Sequence, residues 1–390
     1  MYRQDFDKLQ VRFTMGLGLI ILLLLLLVSS VTAEQPKFDT YDEWLEWAEM
    51  EPYQPEVEDW DAIYEAAKEE PPLLIYSSSS RIHPSMERFM EKYPGVTTES
   101  INLSVMELNE RVRREWDAGL REVGLVLSGG PEVYSDLLVS RNAVTNYVPR
   151  DLEKIMDPIE TTPMLRHRYH GCIPIYSTDI EDPDTTPWSN IWELTTEKWY
   201  DKVAIWDPLD TENTRDYLAT LVQHSNEMEE MYEEFFGESI ELTTPNAGLE
   251  FMKRLLDNGV RIFGDYRDVI QVVNNADGNF AGWITSSGVR MLIDGEVDFK
   301  IDTDVIPIYV GWTDMVVGSF TPSPNTAKLA VEWLMSQDGG AEWWGPNFPP
   351  FSRGIEVPEG WPTLDDFKIV WNFSEYELTN QVIDYWTLWR

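Results

Sequence analysis

The chain has 390 residues, room for two or three ordinary domains. Its 43% hydrophobic and 13% aromatic content, with seventeen tryptophans, excludes disorder over most of that length. With 69 acidic against 30 basic residues the formal charge is −39, which excludes nucleic acid as a partner and argues against adhesion to anionic lipid, since both need a basic face.

The basic residues comprise 19 Arg and only 11 Lys. An acid-rich, lysine-poor surface suits high salt, where self-repulsion is screened; a strongly acidic secreted protein is the plainer alternative. At the start of the chain, Arg3, Lys8 and Arg12 precede an uncharged run from Met15 to Val31. Val31 and Ala33 then carry the small-residue spacing of a signal-peptidase site. Residues 1–33 read as a secretory signal or an uncleaved membrane anchor, and either places the remainder outside the cytoplasm, as a periplasmic, secreted or surface-anchored protein. Residues 34–58 are acidic and aromatic, broken by Pro36, Pro52 and Pro55, and read as a spacer with one short helix.

At Asp59 the pattern changes. An N-cap and apolar residues at helical spacing give a helix that Pro71-Pro72 ends, and LLIY is then a short strand. MERFMEKY is helical, VTTESINL a strand, ELNERVRREWDAG a helix, VGLVLS a strand and EVYSDLLVS a helix. The alternation predicts an α/β lobe with a largely parallel sheet. The second half alternates in the same way, with KVAIWDP a strand, DYLATLVQHSNEMEEMYEEFFG one or two helices, and TPNAGLEFMKRLLDNG a helix capped by Asn246 or Thr244. GNFAGWITSSG is again a strand; VDFKIDTDVIPIYVGWTDMVVGSF reads as two strands and SPNTAKLAVEWLMSQDGG as a capped amphipathic helix. The single cysteine, Cys172, excludes an intrachain disulfide and reads as a small core residue. Asn102-Leu103-Ser104 and Asn372-Phe373-Ser374 are glycosylation sequons.

Three strands end in small hydroxyl or glycine residues just before a helix. These ends are Ser77-Ser78-Ser79-Ser80-Arg81, Ser128-Gly129-Gly130 and Thr285-Ser286-Ser287-Gly288. In parallel α/β sheets the ligand crevice lies beyond the carboxyl ends of strands, where helix N-termini offer free N–H groups and favour anions. An ordinary helix cap explains any one such loop; three of one kind point to a shared pocket. Asp207 and Asp210 at a strand end could hold a metal or an amine, or be solvated acids. His167 and His170 resemble metal ligands but have no partner cluster, and Ser79, Ser80 and His83 lack a third group for hydrolysis.

The order of WDAIYEAAKEEPPLLIYSSSS, RFMEKYPGV, ELNERVRREWDAG, VLSGGP, NYVPRDL, IPIYST, KVAIWDP and PSPNTAKLAVEWLMSQDGG resembles the extracellular solute-binding proteins of ABC importers. Among them it is most similar to the ferric-iron-type branch with the type 2 periplasmic-binding fold. The resemblance covers Asp59 to about Arg353. It implies two α/β lobes joined by crossover strands, lobe one at 59–170 plus 305–345 and lobe two at 171–304 plus 346–390. It also implies a ligand closed between them, a membrane permease as partner, a monomer, no cofactor and no catalysis. The iron branch uses adjacent tyrosines, a histidine and an acid. The corresponding positions here are Ser286-Ser287, Ser79 or Ser80, and Gly129 or Gly130. Serine hydroxyls stay protonated at neutral pH and serve hard Fe(III) poorly. A hydroxyl-lined crevice with Arg81 and Arg290 nearby instead suits an anionic or polyol ligand.

The expected contacts are Ser78, Ser79, Ser80, Arg81, Ser128 and Gly129 from the first lobe, and Tyr176, Thr178, Asp207, Ser286 and Ser287 from the second. Trp312 is a possible stacking wall, and Tyr176 and Thr178 are expected at the first crossover. Fe(III) held through an anion or chelator is the alternative ligand, and a surface or sensory protein reusing the fold without transport is a further alternative.

Overall fold

The computed structural model describes residues 37–130, 133–179, 186–372, 375 and 377–390. The segment read as signal or anchor lies outside them, and the second sequon lies only partly within them. No helix among the described residues is long and apolar enough to cross a membrane. The chain divides into residues 1–44 and 45–390. In the first unit begins the short helix Tyr41–Ala48 expected in the acidic segment; everything that follows concerns the second.

The strands are β1 (Leu73–Ser77), β2 (Thr98–Asn102), β3 (Val123–Ser128), β4 (Val144–Thr145), β5 (Leu165–Tyr176), β6 (Val203–Trp206), β7 (Arg261–Phe263), β8 (Ala281–Thr285), β9 (Lys300–Ile301), β10 (Ile308–Gly318) and β11 (Val370–Asn372). They join in the order β2-β1-β3-β10-β5-β8-β6-β7, with β4 and β11 on β10 and β9 on β5. β1, β2 and β3 are parallel, as are β6, β7 and β8. Each trio heads one lobe. β5 and β10 are long, antiparallel to each other, and run between the lobes: β10 pairs with β3 and β5, and β5 pairs with β10 and β8.

Helices alternate with the parallel strands, and their covering explains why β3 is buried along all six residues. Close packing is written into Gly124 of β3, where a Cβ would lie 2.2 Å from Leu73 Cδ1. Helices Ile82–Lys92 and Val105–Asp117 follow β1 and β2. The second expected helical stretch is two helices, Glu212–Gln223 and Ser225–Phe236, the latter ended by Gly237 at φ 74°. Asn246 caps helix Ala247–Asp257 through a bond from Leu249 N at 2.9 Å. EVYSDLLVS forms a wider π-helix over Val133–Ser140.

Two local details differ from the sequence pattern. Helix Pro324–Leu334 has no cap from its own Ser323, whose hydroxyl donates to Pro71 O. Glu70 caps it instead, accepting from the backbone N–H groups of Asn325 at 2.9 Å and Thr326 at 2.8 Å. Residues 54–58 of the acidic segment are also tied into the body of this unit. Gln54 donates to Val148 O, Arg150 donates to Pro55 O, and the Tyr147 hydroxyl donates to Glu58.

Candidate functional site

A cavity of about 1000 Å³ opens beyond the carboxyl ends of β1, β3, β6 and β8, with the β5–β10 pair at its waist. The first lobe contributes Ser78, Ser79, Arg81, Gly129 and Gly130; the second contributes Trp206, Asp210, Tyr266, Thr285 and Ser287. Arg168 and His170 enter from β5, and Tyr309, Gly311 and Trp312 from β10.

The loop after β1 is preorganised by its own hydroxyls. Ser77 is fully buried and its Oγ accepts from Ser79 N at 3.1 Å. Ser79 Oγ accepts from the Trp343 indole N–H at 3.2 Å. That leaves Ser78 and Ser79 against the cavity, while Ser80 is exposed and outside it. Arg81 follows at the mouth of helix Ile82–Lys92, half-buried, with its Nε buried and without a hydrogen-bond partner.

Arg168 is the most unusual side chain of the cavity. It is only 4% exposed and lies mid-way along β5. Among the described residues its side chain makes one hydrogen bond, between Nη1 and His167 Nδ1 at 2.8 Å, and no carboxylate pairs with it. Burial, and then the charge of Arg81, bring its pKa down to about 9. Arg81 is lowered too, by burial first and then by Arg290, which is exposed. His170, on the same side of β5 as Arg168, is pushed down to about 4 by burial and then by Arg168, so it is a neutral ring. A buried guanidinium without a carboxylate is costly, and an oxyanion entering the cavity would remove that cost.

The opposite wall is acidic and aromatic. The Trp206 and Tyr266 rings lie 5.7 Å apart at 48°. The Trp206 indole donates to Gly264 O at 3.0 Å, and the Asp210 carboxylate stands beside the same glycine, 3.9 Å from where a Cβ would be. Asp216 accepts from the Tyr309 hydroxyl at 3.3 Å; burial raises its pKa to about 7 against the pull of Arg215. Tyr309 folds back over Gly311, where a Cβ would come 2.1 Å from its hydroxyl oxygen.

The structure therefore gathers Ser78, Ser79, Arg81, Gly129, Ser287 and Trp312 of the expected contacts at one cavity. It turns others inward. Ser128 is fully buried and donates to Asn109 Oδ1 at 2.9 Å. Ser286 is buried, donating to Pro346 O at 3.2 Å and accepting from Gly171 N at 3.3 Å. Tyr176 is packed edge-on against Trp188 at the far end of β5, because the crossover runs through the middle of that strand, some residues earlier than expected. Thr178 lies past that end and off the cavity. Asp207 is buried, accepts from Leu209 N at 3.1 Å and pairs with Arg390. Cys172 is buried in the core.

Arg168, His170, Trp206 and Tyr266 are cavity residues that the sequence pattern did not single out as contacts. The signal available was Arg168 and His170 two residues apart, which puts both on one face of a strand; a register shift between Arg166 and Arg168 turns Arg166 to the other face. No group of three His, Cys, Asp or Glu side chains among the described residues could hold a metal ion.

No family model matches the chain, and neither does any curated protein. Solved structures do. Iron-bound HitA from Pseudomonas aeruginosa superposes with a TM-score of 0.58 at 12% identity, covering 82% of this chain and 99% of that one. The substrate-binding protein of an ABC transporter from Agrobacterium tumefaciens gives 0.56 at 13% identity, covering 82% and 95%. The Trichodesmium protein IdiA, or FutA, in complex with iron and citrate gives 0.55 at 14%, covering 82% and 99%. The chain has the two-lobe type 2 periplasmic-binding fold.

Proposed function

We propose that the protein is an extracytoplasmic solute-binding protein of an ABC importer, taking a small anion between its lobes and handing it to a membrane permease. Lobe one is assigned to 59–170 plus 305–345 and lobe two to 171–304 plus 346–390. The protein acts as a monomer, attached or exported through its N-terminal segment, and catalysis is not its task. The fold shared with HitA and with the Agrobacterium substrate-binding protein supports the class.

The observation that carries the ligand charge is Arg168. In a chain of net charge −39, a buried arginine faces the cavity without a carboxylate among the described residues, next to a second arginine whose Nε has no partner among them. Acids are abundant in the chain, and none among the described residues pairs with Arg168, which leaves that place to a ligand. Ser78, Ser79, Ser287 and the backbone at Gly129 supply further hydrogen-bonding groups around it. Closure is a hinge motion about β5 and β10, in which an anion touching both lobes shifts the population toward the closed form.

The test is titration calorimetry with inorganic phosphate, ethyl phosphate, ethanesulfonate, acetate, glucose and Fe(III) with and without citrate. Saturable binding of an oxyanion that is lost in Arg168→Met supports the reading. Affinity for glucose alone, or for iron alone with visible colour, overturns it.

A further inference from the structure

We infer that the ligand is a zwitterion: an oxyanion joined through a short carbon chain to an amine or quaternary ammonium group that docks between Trp206, Tyr266 and Asp210. This rests on the anion-binding reading above and adds the second charge. The cavity is polarised. On the β1 and β5 side it presents Arg81 and Arg168 with no acid bonded to either among the described residues. On the β6 and β7 side the cavity-lining charged groups include Asp210, Glu212 and Asp216, with Arg215 3.7 Å from Glu212; Glu377 lines the cavity as well, and Arg267 lies 5.0 Å from the centre of the Tyr266 ring.

Asp210 makes no ion pair or side-chain hydrogen bond among the described residues, whereas its near neighbour Asp207 is taken by Arg390. The Trp206–Tyr266 pair stands at the same corner, fixed by the indole bond to Gly264 O, and both rings line the cavity. Aromatic faces beside an unpaired carboxylate attract ammonium groups through the ring quadrupole and direct Coulomb attraction, more strongly once water is excluded. An uncharged or purely anionic ligand would be repelled or left unbonded at this corner. Arg81, Arg168, Trp206, Asp210 and Tyr266 line one cavity of about 1000 Å³, so a single ligand in it can touch both corners.

The experiment compares matched pairs that differ only in the amine: 2-aminoethyl phosphate against ethyl phosphate, 2-aminoethanesulfonate against ethanesulfonate, with choline phosphate as the quaternary member. Calorimetry on the intact protein should show the ammonium member of a pair binding at least tenfold more tightly. Asp210→Asn and Trp206→Leu should each erase most of that preference. Asp210 is exposed, and melting temperature checks that each variant is folded. Equal affinity within every pair overturns the zwitterion and leaves the anion site standing. Tighter binding of the amine-free members overturns it as well. Failure of all the oxyanions to bind sinks both readings.

Discussion

Two loops of nearly the same composition sit on opposite sides of the cavity and do different things. Ser77–Arg81 follows β1 and Thr285–Gly288 follows β8. In each, one serine is locked inside while its neighbours face the cavity: Ser77 against Ser79 N, and Ser286 between Pro346 O and Gly171 N. The inward serine sets the backbone and the outward one is left for a ligand. What separates the loops lies behind them. The first is backed by Arg81 and the buried Arg168, the second faces the aromatic and acidic corner of β6 and β7. Similar hydroxyl loops thus gain opposite electrostatics from strands distant in sequence.

That contrast can be broken in steps. Arg168→Met should lower oxyanion affinity by about a hundredfold or more, the loss of a charge-assisted contact worth ~3 kcal/mol. It should also raise the melting temperature of the ligand-free protein, since it removes a buried charge without a carboxylate. Calorimetry and thermal melting check the two signs together; a fall in both would mean that Arg168 is structural.

A carboxylate placed on each loop should show the polarity directly. Ser79→Asp supplies Arg81 with an internal counter-ion and should cost about thirtyfold in oxyanion affinity, roughly 2 kcal/mol, while stabilising the free protein. Ser287→Asp, on the wall already acidic, should gain no stability and lie nearer wild type in affinity. Equal losses at the two positions would deny the asymmetry.

Protonation offers a third test. Arg168 binds an anion as the cation, and burial has brought its pKa down to about 9. Affinity should hold between pH 7 and 8 and then fall as pH rises through 9, approaching tenfold per unit beyond it. In Arg168→Met that alkaline limb should vanish.

The smallest effects separate the two serines of one loop. Ser286→Ala strands Gly171 N and should cost ~1 kcal/mol of stability in urea unfolding, with little change in affinity. Ser287→Ala should leave stability unchanged and weaken binding a few-fold.

The lobes and their strand–helix alternation were legible because their signals are local: apolar runs, caps such as Asn246, and glycine stops such as Gly237. The strand ends were legible for the same reason, and Ser78, Ser79, Arg81, Gly129 and Ser287 were nameable from them. Their division into inward and outward serines was not, since Ser286 is fixed by Pro346 and Gly171, far away in sequence. Arg168 escaped because its meaning depends on the pairing of β5 with β10, where Arg168 meets Thr313 and His170 meets Gly311. A basic strand next to histidines suggests metal or solvent; only the register reveals it as a cavity floor. The cap of helix Pro324–Leu334 misleads in the same way, since the local Ser323 was available but Glu70 takes the place.

The strand order carries a consequence for synthesis. β1, β2 and β3 are complete by Ser128, yet the neighbour that closes the β3 edge, β10, begins only at Ile308. At roughly 5–20 residues per second, that edge waits about 10–40 s for its partner. Glu70 waits still longer for the helix that it caps. During that interval the first half of the chain is a half-built sheet with an open, apolar margin, a natural client for a holding chaperone and a poor candidate for folding on its own. Fragments ending before residue 308 should therefore aggregate, whereas the chain as a whole closes both lobes with its final third.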